Sequence, residues 1–224
     1  MMMDSIDASD ITVYTAIFGG YDILRDPQNH NKGCRYLCFS DSPQKSNVWE
    51  TVTQQRVMPT AVLDARFRKI LSHKFVDTEY SIWLDGNLQL RADPIEVVAK
   101  YLVNRDMALF VHCERDCIYQ EATTNIFMRK APAEDINKQI SRYRAEGYPA
   151  HNGLAETSIL IRRHTPKVVA FNSLWWAEIL RGTHRDQLSF NYVIWKMGMQ
   201  YEAIRENFRY GGANWLRYTV RHRC

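Results

Sequence analysis

Tyr80-Ser81-Ile82-Trp83-Leu84-Asp85-Gly86-Asn87 is a short, largely apolar run that delivers two oxygen-bearing side chains, one residue apart, on either side of a glycine. Such a run forms a buried strand, and Asp-Gly-Asn forms a turn. A carboxylate and an amide at the end of a strand are hard oxygen donors. Mg²⁺ and Mn²⁺ take donors of that kind and keep open positions for water and phosphate oxygens. The same three residues also build an ordinary turn in which Asp85 caps a backbone N–H, so the rest of the chain has to decide.

Upstream, Ile11 to Phe18 is rich in β-branched and aromatic residues and runs into Gly19-Gly20, where the backbone can turn sharply or approach a ligand. Arg35 to Ser40 is a second strand ending at Asp41, and Trp49 to Gln55 a weaker third. From Ala61 to Val76, Leu63, Phe67, Ile70, Leu71 and Phe75 recur at helical spacing, which leaves Arg66, Lys69 and His73 on a neighbouring stripe. That stripe is either a solvated helix face or a surface turned toward phosphate. Downstream, Asp93-Pro94-Ile95-Glu96 combines an N-cap, a first-turn proline and a glutamate three residues past the cap, predicting a helix to about Tyr101.

Met107 to His112 and Thr157 to Arg162 read as strands, Ala131 to Glu146 and Lys167 to Arg181 as helices, and a last helix starts near Asp186. Trp175 and Trp176 fall on an apolar helix and are expected in the core. This alternation predicts a three-layer α/β/α domain with a mostly parallel central sheet, whose ligands bind at the carboxyl ends of strands. Asp41, Asp85 and His112 all fall at such ends. The polar residues His112 to Asp116 extend that end into a candidate site loop.

A length of 224 residues suits one domain, here residues 11–224 after a tail at 1–10. With 46% hydrophobic and 24% charged residues, the chain is not of disordered type. The net charge of +4 is concentrated near Arg217, Arg221, His222 and Arg223, so an anion is expected there. No basic run with interleaved aromatics argues for nucleic acid. No apolar stretch approaches the roughly 18 residues of a membrane span, so the expectation is a cytoplasmic protein with any membrane contact peripheral. Cys34-x₃-Cys38 and Cys113-x₃-Cys117 lack the tighter spacing of common zinc knuckles, and buried reduced thiols are expected instead.

These pieces together resemble the GT-A fold of glycosyltransferases, the nucleotide-diphospho-sugar transferases. The residues that carry the likeness are Val13-Tyr14-Thr15-Ala16, Phe39-Ser40-Asp41, Trp83-Leu84-Asp85-Gly86-Asn87, and Asp186-Gln187 with Asn191. The segments YTAIFGGYD, RKILSHK, WLDGNLQL and HCERDCIYQEA are similar to a little-studied glycosyltransferase-like domain family of plants, microbes and large viruses.

The resemblance implies transfer of a hexosyl or deoxyhexosyl group from a nucleotide diphosphate sugar, by family habit a uridine one, to a hydroxyl acceptor on a glycan, protein or lipid. It implies Mn²⁺ or Mg²⁺ held at Asp85 and Asn87, with His222 as a third ligand. Asn87 departs from the family's acid-x-acid pattern and makes the site one charge poorer. Thr15, Ala16, Tyr21 and Asp41 would hold the nucleoside. Arg66 and Lys69 would face the phosphates, and His112 the donor sugar or acceptor. Asp186 would be the base of an inverting reaction, with Gln187 beside it and Glu156 as alternative base or acceptor contact. Asp186-Gln187 with Asn191 equally suits a retaining enzyme, so the stereochemistry stays open. A sugar-phosphate nucleotidyltransferase and a non-catalytic nucleotide- or sugar-binding module are the competing readings.

Overall fold

In the computed structural model, which describes residues 6–219, the chain opens with β1 (Ile11–Ile17), buried along its whole length. It is followed by β2 (Arg35–Ser40), β3 (Glu50–Thr53), α1 (Ala61–Ile70), β4 (Tyr80–Leu84), β5 (Leu88–Leu90) and α2 (Pro94–Tyr101). The chain continues through β6 (Met107–Val111), α3 (Ile118–Phe127), α4 (Ala133–Ala145), β7 (Ala155–Arg163), α5 (Pro166–Arg181), α6 (Asp186–Lys196), β8 (Glu202–Ile204) and β9 (Leu216–Tyr218). Ala8–Asp10, expected to belong to a tail, form a 3-10 turn capped by the Asp7 carboxylate on the Ser9 N–H at 2.8 Å. Ile6 and Ala8 pack on the core beside it.

Seven strands form one sheet in the order β3-β2-β1-β4-β7-β6-β8, and β5 pairs with β9 in a second, two-stranded sheet. The large sheet is parallel except at β7, which runs against both β4 and β6. The mostly parallel three-layer α/β/α architecture is therefore as expected. The reversal of β7 was not, because the residue types of a strand do not record which way it runs.

The two faces of the sheet carry separate apolar clusters. Tyr14, Leu37, Trp83 and Leu160 pack against α1 and α3 to α6, with Trp175 fully buried and Trp176 nearly so. Val13, Ile82, Phe110 and Ile161 pack against α2, β5 and β9. Each large apolar side chain buried in this way contributes about 1.5–3 kcal/mol, so the sheet is the rigid floor on which the loops at its edge are held.

Helix starts follow the expected chemistry. The Thr60 hydroxyl accepts the Leu63 N–H at 3.2 Å, and the Asp93 carboxylate accepts the Ile95 N–H at 2.9 Å ahead of Pro94. α1 stops at Ile70, six residues before the expected end, and a 3-10 turn at Ser72–Lys74 takes over. Three-residue β5, β8 and β9 are shorter than any periodicity window. α3 begins at Cys117 without a side-chain cap and gives no start signal either.

Candidate active site

The carboxyl ends of β1, β4 and β6 and the amino end of β7 lie along one edge of the sheet, because β7 is reversed. The main-chain N–H of Asp85 donates to the Ser158 carbonyl at 2.8 Å and fixes the two strand ends together. A cleft of about 920 Å³ opens there, lined among others by Ala16, Asp85, Asn87, His112, Glu156 and Asp186. Sequence reading had placed these six far apart in the chain, and the fold brings them to one cavity. Arg66, Tyr21 and Gln187 also line it.

Its floor is an ion cluster. Lys69, fully buried, places its ammonium 2.6 Å from Asp186 and 3.2 Å from Asp85. The Arg66 guanidinium lies 3.2 Å from Asp186 and 3.9 Å from Asp85, and the Trp83 indole N–H donates to Asp85 Oδ1 at 2.8 Å. Two cations and two carboxylates therefore balance in a place from which water is largely excluded, which is the condition under which buried charges are tolerated. Burial would raise the Asp186 pKa, but Arg66 and Lys69 outweigh it and hold the carboxyl far below the usual range. Burial works against Arg66 in the same way, and Asp186 and Asp85 overcome it and raise its pKa. Of the α1 stripe, Arg66 lines the cleft, and Lys69, fully buried and not among the lining residues, pairs with the two carboxylates that are. His73 lies outside the cleft, its pKa lowered by burial and by Arg162.

Asp186, expected as a base, lines the cleft in contact with Arg66 and Lys69. A general base works best with a pKa near the operating pH, whereas Asp186 is fixed in its ionised form by two cations and by the Thr157 hydroxyl at 3.1 Å. Its place is that of a counter-ion that holds Arg66 and Lys69. Gln187 is likewise committed: its amide donates to the Ala155 carbonyl at 2.9 Å, while Asn191 accepts the Ala155 N–H at 2.8 Å. The pair clasps the start of β7. Glu156 lines the cleft with its Oε2 on the Arg209 guanidinium at 2.7 Å and Oε1 accepting the Ser158 hydroxyl at 3.2 Å.

The expected nucleoside contacts divide. Tyr21 is 67% exposed on the cleft rim and Ala16 lines the wall. Thr15, between Tyr14 and Ala16 in β1, is buried and is not among the residues that line the cleft. Asp41 is outside the lining too: both its carboxylate oxygens accept the Gly19 N–H, at 2.9 and 3.0 Å, and Arg56 pairs with it at 3.3 Å. Gly19 and Gly20 have φ of 68° and 63°, a left-handed pair that favours glycine, so Asp41 anchors the turn that carries Tyr21. His112 Nδ1 accepts the N–H groups of Glu114 and Arg115, at 3.2 and 3.1 Å. Burial, opposed by Glu156 and reinforced by Arg115, lowers the imidazole pKa.

For a metal ion the donor set is Asp85 and Asn87. The Asn87 amide donates to the Tyr218 hydroxyl at 3.1 Å, and its own oxygen is buried. Asp22 joins them: a Cβ on Gly86 would stand 2.8 Å from the Asp22 Cβ and 2.8 Å from its Oδ2, so the glycine cradles that side chain. All three offer oxygen, which fits a hard divalent cation. Among the described residues no group of three or more His, Cys, Asp and Glu could hold an ion alone, so water or a substrate's oxygens would have to complete the shell. His222, the expected third ligand, lies outside the described residues. Thr219, the last described residue, donates its N–H and its hydroxyl to the Asn87 carbonyl, both at 2.9 Å.

Sequence reading missed Asp22, His184, Arg185, Lys130 and Arg209, which also line the cleft. Asp22 stands inside a segment already singled out. Arg209 sits in a 3-10 turn at Phe208–Tyr210, capped by Asn207, with no pattern around it to mark it. The thiol expectation holds at Cys34, Cys38 and Cys117, which are buried, and fails at Cys113, which is exposed on the cleft wall.

A family model described as "TOD1/MUCI70, glycosyltransferase-like domain" matches residues 39–222. The "Probable hexosyltransferase MUCI70" of Arabidopsis thaliana is 27% identical over 236 residues, spanning 88% of this chain and 41% of the relative. "Alkaline ceramidase TOD1" of the same plant is 22% identical over 220 residues, spanning 82% and 48%. The chain thus spans less than half the length of each of these two relatives. Among solved structures, the apo form of mouse xyloside xylosyltransferase 1 aligns at a TM-score of 0.48 and 9% identity, covering 87% of this chain and 84% of that one.

Proposed function

The chain belongs to the TOD1/MUCI70 glycosyltransferase-like domain family, and we propose that its cleft transfers a hexosyl group from a nucleotide diphosphate sugar, a uridine one by preference, to a hydroxyl acceptor. The observation that carries this reading is the ion cluster. Arg66 and Lys69 stand beside Asp85 at the end of β4, where the negative charge of a departing diphosphate would collect. Preorganised cations at such a point stabilise developing charge without having to reorganise during the reaction.

Asp85 and Asn87 would hold Mn²⁺ or Mg²⁺. When bound, such an ion neutralises charge on the diphosphate leaving group. The chain's own residues do the rest. Asp186 holds Arg66 and Lys69 in register, and Trp83 orients the Asp85 carboxylate through its indole N–H. Tyr21, exposed on the rim, offers a flat face for a nucleobase. Glu156, oriented by Arg209 and Ser158, is the carboxylate we assign to the acceptor.

Thermal unfolding of the purified chain with Mn²⁺, with uridine diphosphate, and with both tests the reading. Joint stabilisation well beyond the sum of the two is expected, because ligands that bind the folded state alone raise its stability by mass action. No shift with any combination would end it. Nucleotide release from a panel of diphosphate sugars then separates a transferase from a binding module, and pyrophosphate release a nucleotidyltransferase. Since one relative is called a ceramidase, fatty acid release from ceramide belongs in the same panel.

A further inference from the structure

We propose that Asp22 is the second acidic group of the metal and diphosphate site, supplying from the loop after β1 the charge that Asn87 does not. The proposal rests on the reading above and goes beyond it in assigning a residue outside the Asp85–Asn87 turn.

The argument is one of charge and space. Asp85 and Asp186 together carry two negative charges, and Lys69 and Arg66 two positive ones within 3.9 Å. The cluster therefore presents little net charge to an incoming divalent cation, and Asn87 is neutral. A cation site with one amide and one already matched carboxylate is weak, since affinity follows the number of charged ligands. Asp22 is the carboxylate that touches this turn. Its Cβ, Oδ2 and Cγ lie 2.8, 2.8 and 3.1 Å from the point where a Cβ on residue 86 would be. The approach is possible because residue 86 has no side chain.

The same contact explains why a glycine stands between the two donors. Gly86 has no positive φ, and a Cβ there would meet the Asp22 side chain. The Cβ of that side chain is fixed to the main chain and cannot swing clear of a methyl group. Asp22 follows Gly19-Gly20, whose left-handed turn is pinned by Asp41. Both Asp22 and Asp85 line the cleft. A hard cation seated at the turn would thus meet carboxylates from two strand ends, β1 and β4, and the amide oxygen of Asn87.

Mn²⁺ binding to the full chain, followed by the electron paramagnetic resonance of free Mn²⁺ with and without uridine diphosphate, tests this. Asp22→Asn keeps the shape over Gly86 and removes the charge. A loss of Mn²⁺ affinity of about ten-fold or more is expected, with the melting temperature in chelator unchanged. Gly86→Ala, which leaves every acid in place and displaces Asp22, should weaken Mn²⁺ binding as well, and it decides the matter if Asp22→Asn does not fold. Wild-type affinity within two-fold in these variants overturns the assignment. Failure of the unmodified chain to bind Mn²⁺ at all would instead overturn the metal reading on which this one stands.

Discussion

The Lys69 ammonium and the Asp186 carboxylate meet at 2.6 Å, and both side chains are buried, the first completely and the second nearly so. This pair couples helix α1 to the first turn of α6 directly beneath the cleft. Removing one member strands the other's charge out of water. Lys69→Met or Asp186→Leu alone should therefore cost about 3–5 kcal/mol in chemical denaturation. The double variant should cost clearly less than the two together, since each single change contains the same stranded charge. Strict additivity would mean that the two side chains do not depend on each other.

Asp85 has a different sensitivity. It is 28% exposed in side chain and accepts from Trp83 and Lys69. Asp85→Asn keeps the shape and loses the charge that holds a cation. Turnover is expected to fall by about two orders of magnitude or more, the scale of losing a preorganised electrostatic group, and the metal-free melting temperature should fall as well, because Lys69 and Arg66 lose one of their two carboxylates. Activity surviving in Asp85→Asn would remove this carboxylate from the reaction.

A pH effect follows from His164, away from the cleft. Its Nε2 lies 2.9 Å from the Ser81 hydroxyl. Burial first, then the charge of Arg162 and then His73, lower its pKa to about 3. An unfolded histidine takes up a proton near pH 6.5. Between about pH 6.5 and 3 the unfolded chain therefore binds more protons here than the folded one, and stability falls as pH falls through that window. The loss at this one side chain should reach about 2 kcal/mol by pH 5, read from urea midpoints, and His164→Gln should flatten the slope. Glu146, brought down to about 2 by Lys196 and Tyr192 on its carboxylate, adds a second loss in the same direction below about pH 4.5.

Among the cysteines at 34, 38, 113 and 117, Cys113 alone is exposed. Burial pushes the thiols of Cys34 and Cys38 up to about 12, and thiolate is the reactive form. Alkylation under native conditions with peptide mapping should mark Cys113 first, and nucleotide with Mn²⁺ should slow it, because the residue lines the cleft. Equal labelling of Cys34 would contradict the packing of β2.

The strand that ends at Asp85 and the helix start at Asp93 were legible because each rests on local chemistry: a period, a cap, a proline. What a short stretch does not contain is direction or partner. β7 is buried like β4 and its residue types do not record direction, so its reversal, which brings Glu156 to the cleft, had no local sign. Lys69 occupies a helical stripe that reads the same whether water or two carboxylates face it. Asp41 was recognisable as a strand-end acid, yet the Gly19 N–H competes for it, and the turn wins both oxygens. Asp22 was invisible for the opposite reason: its meaning lies in the missing side chain of Gly86, 64 positions later in the chain.

Because β9 pairs with β5 and Thr219 grips the Asn87 carbonyl with two donors, whatever polypeptide comes after residue 219 is mechanically geared to the Asp85–Asn87 turn. An affinity handle or a surface tether attached on that side would pull on the turn itself. One attached ahead of Ile6, which packs on the core layer with α2, would leave it slack, and the two immobilised forms should differ in nucleotide retention for that reason alone.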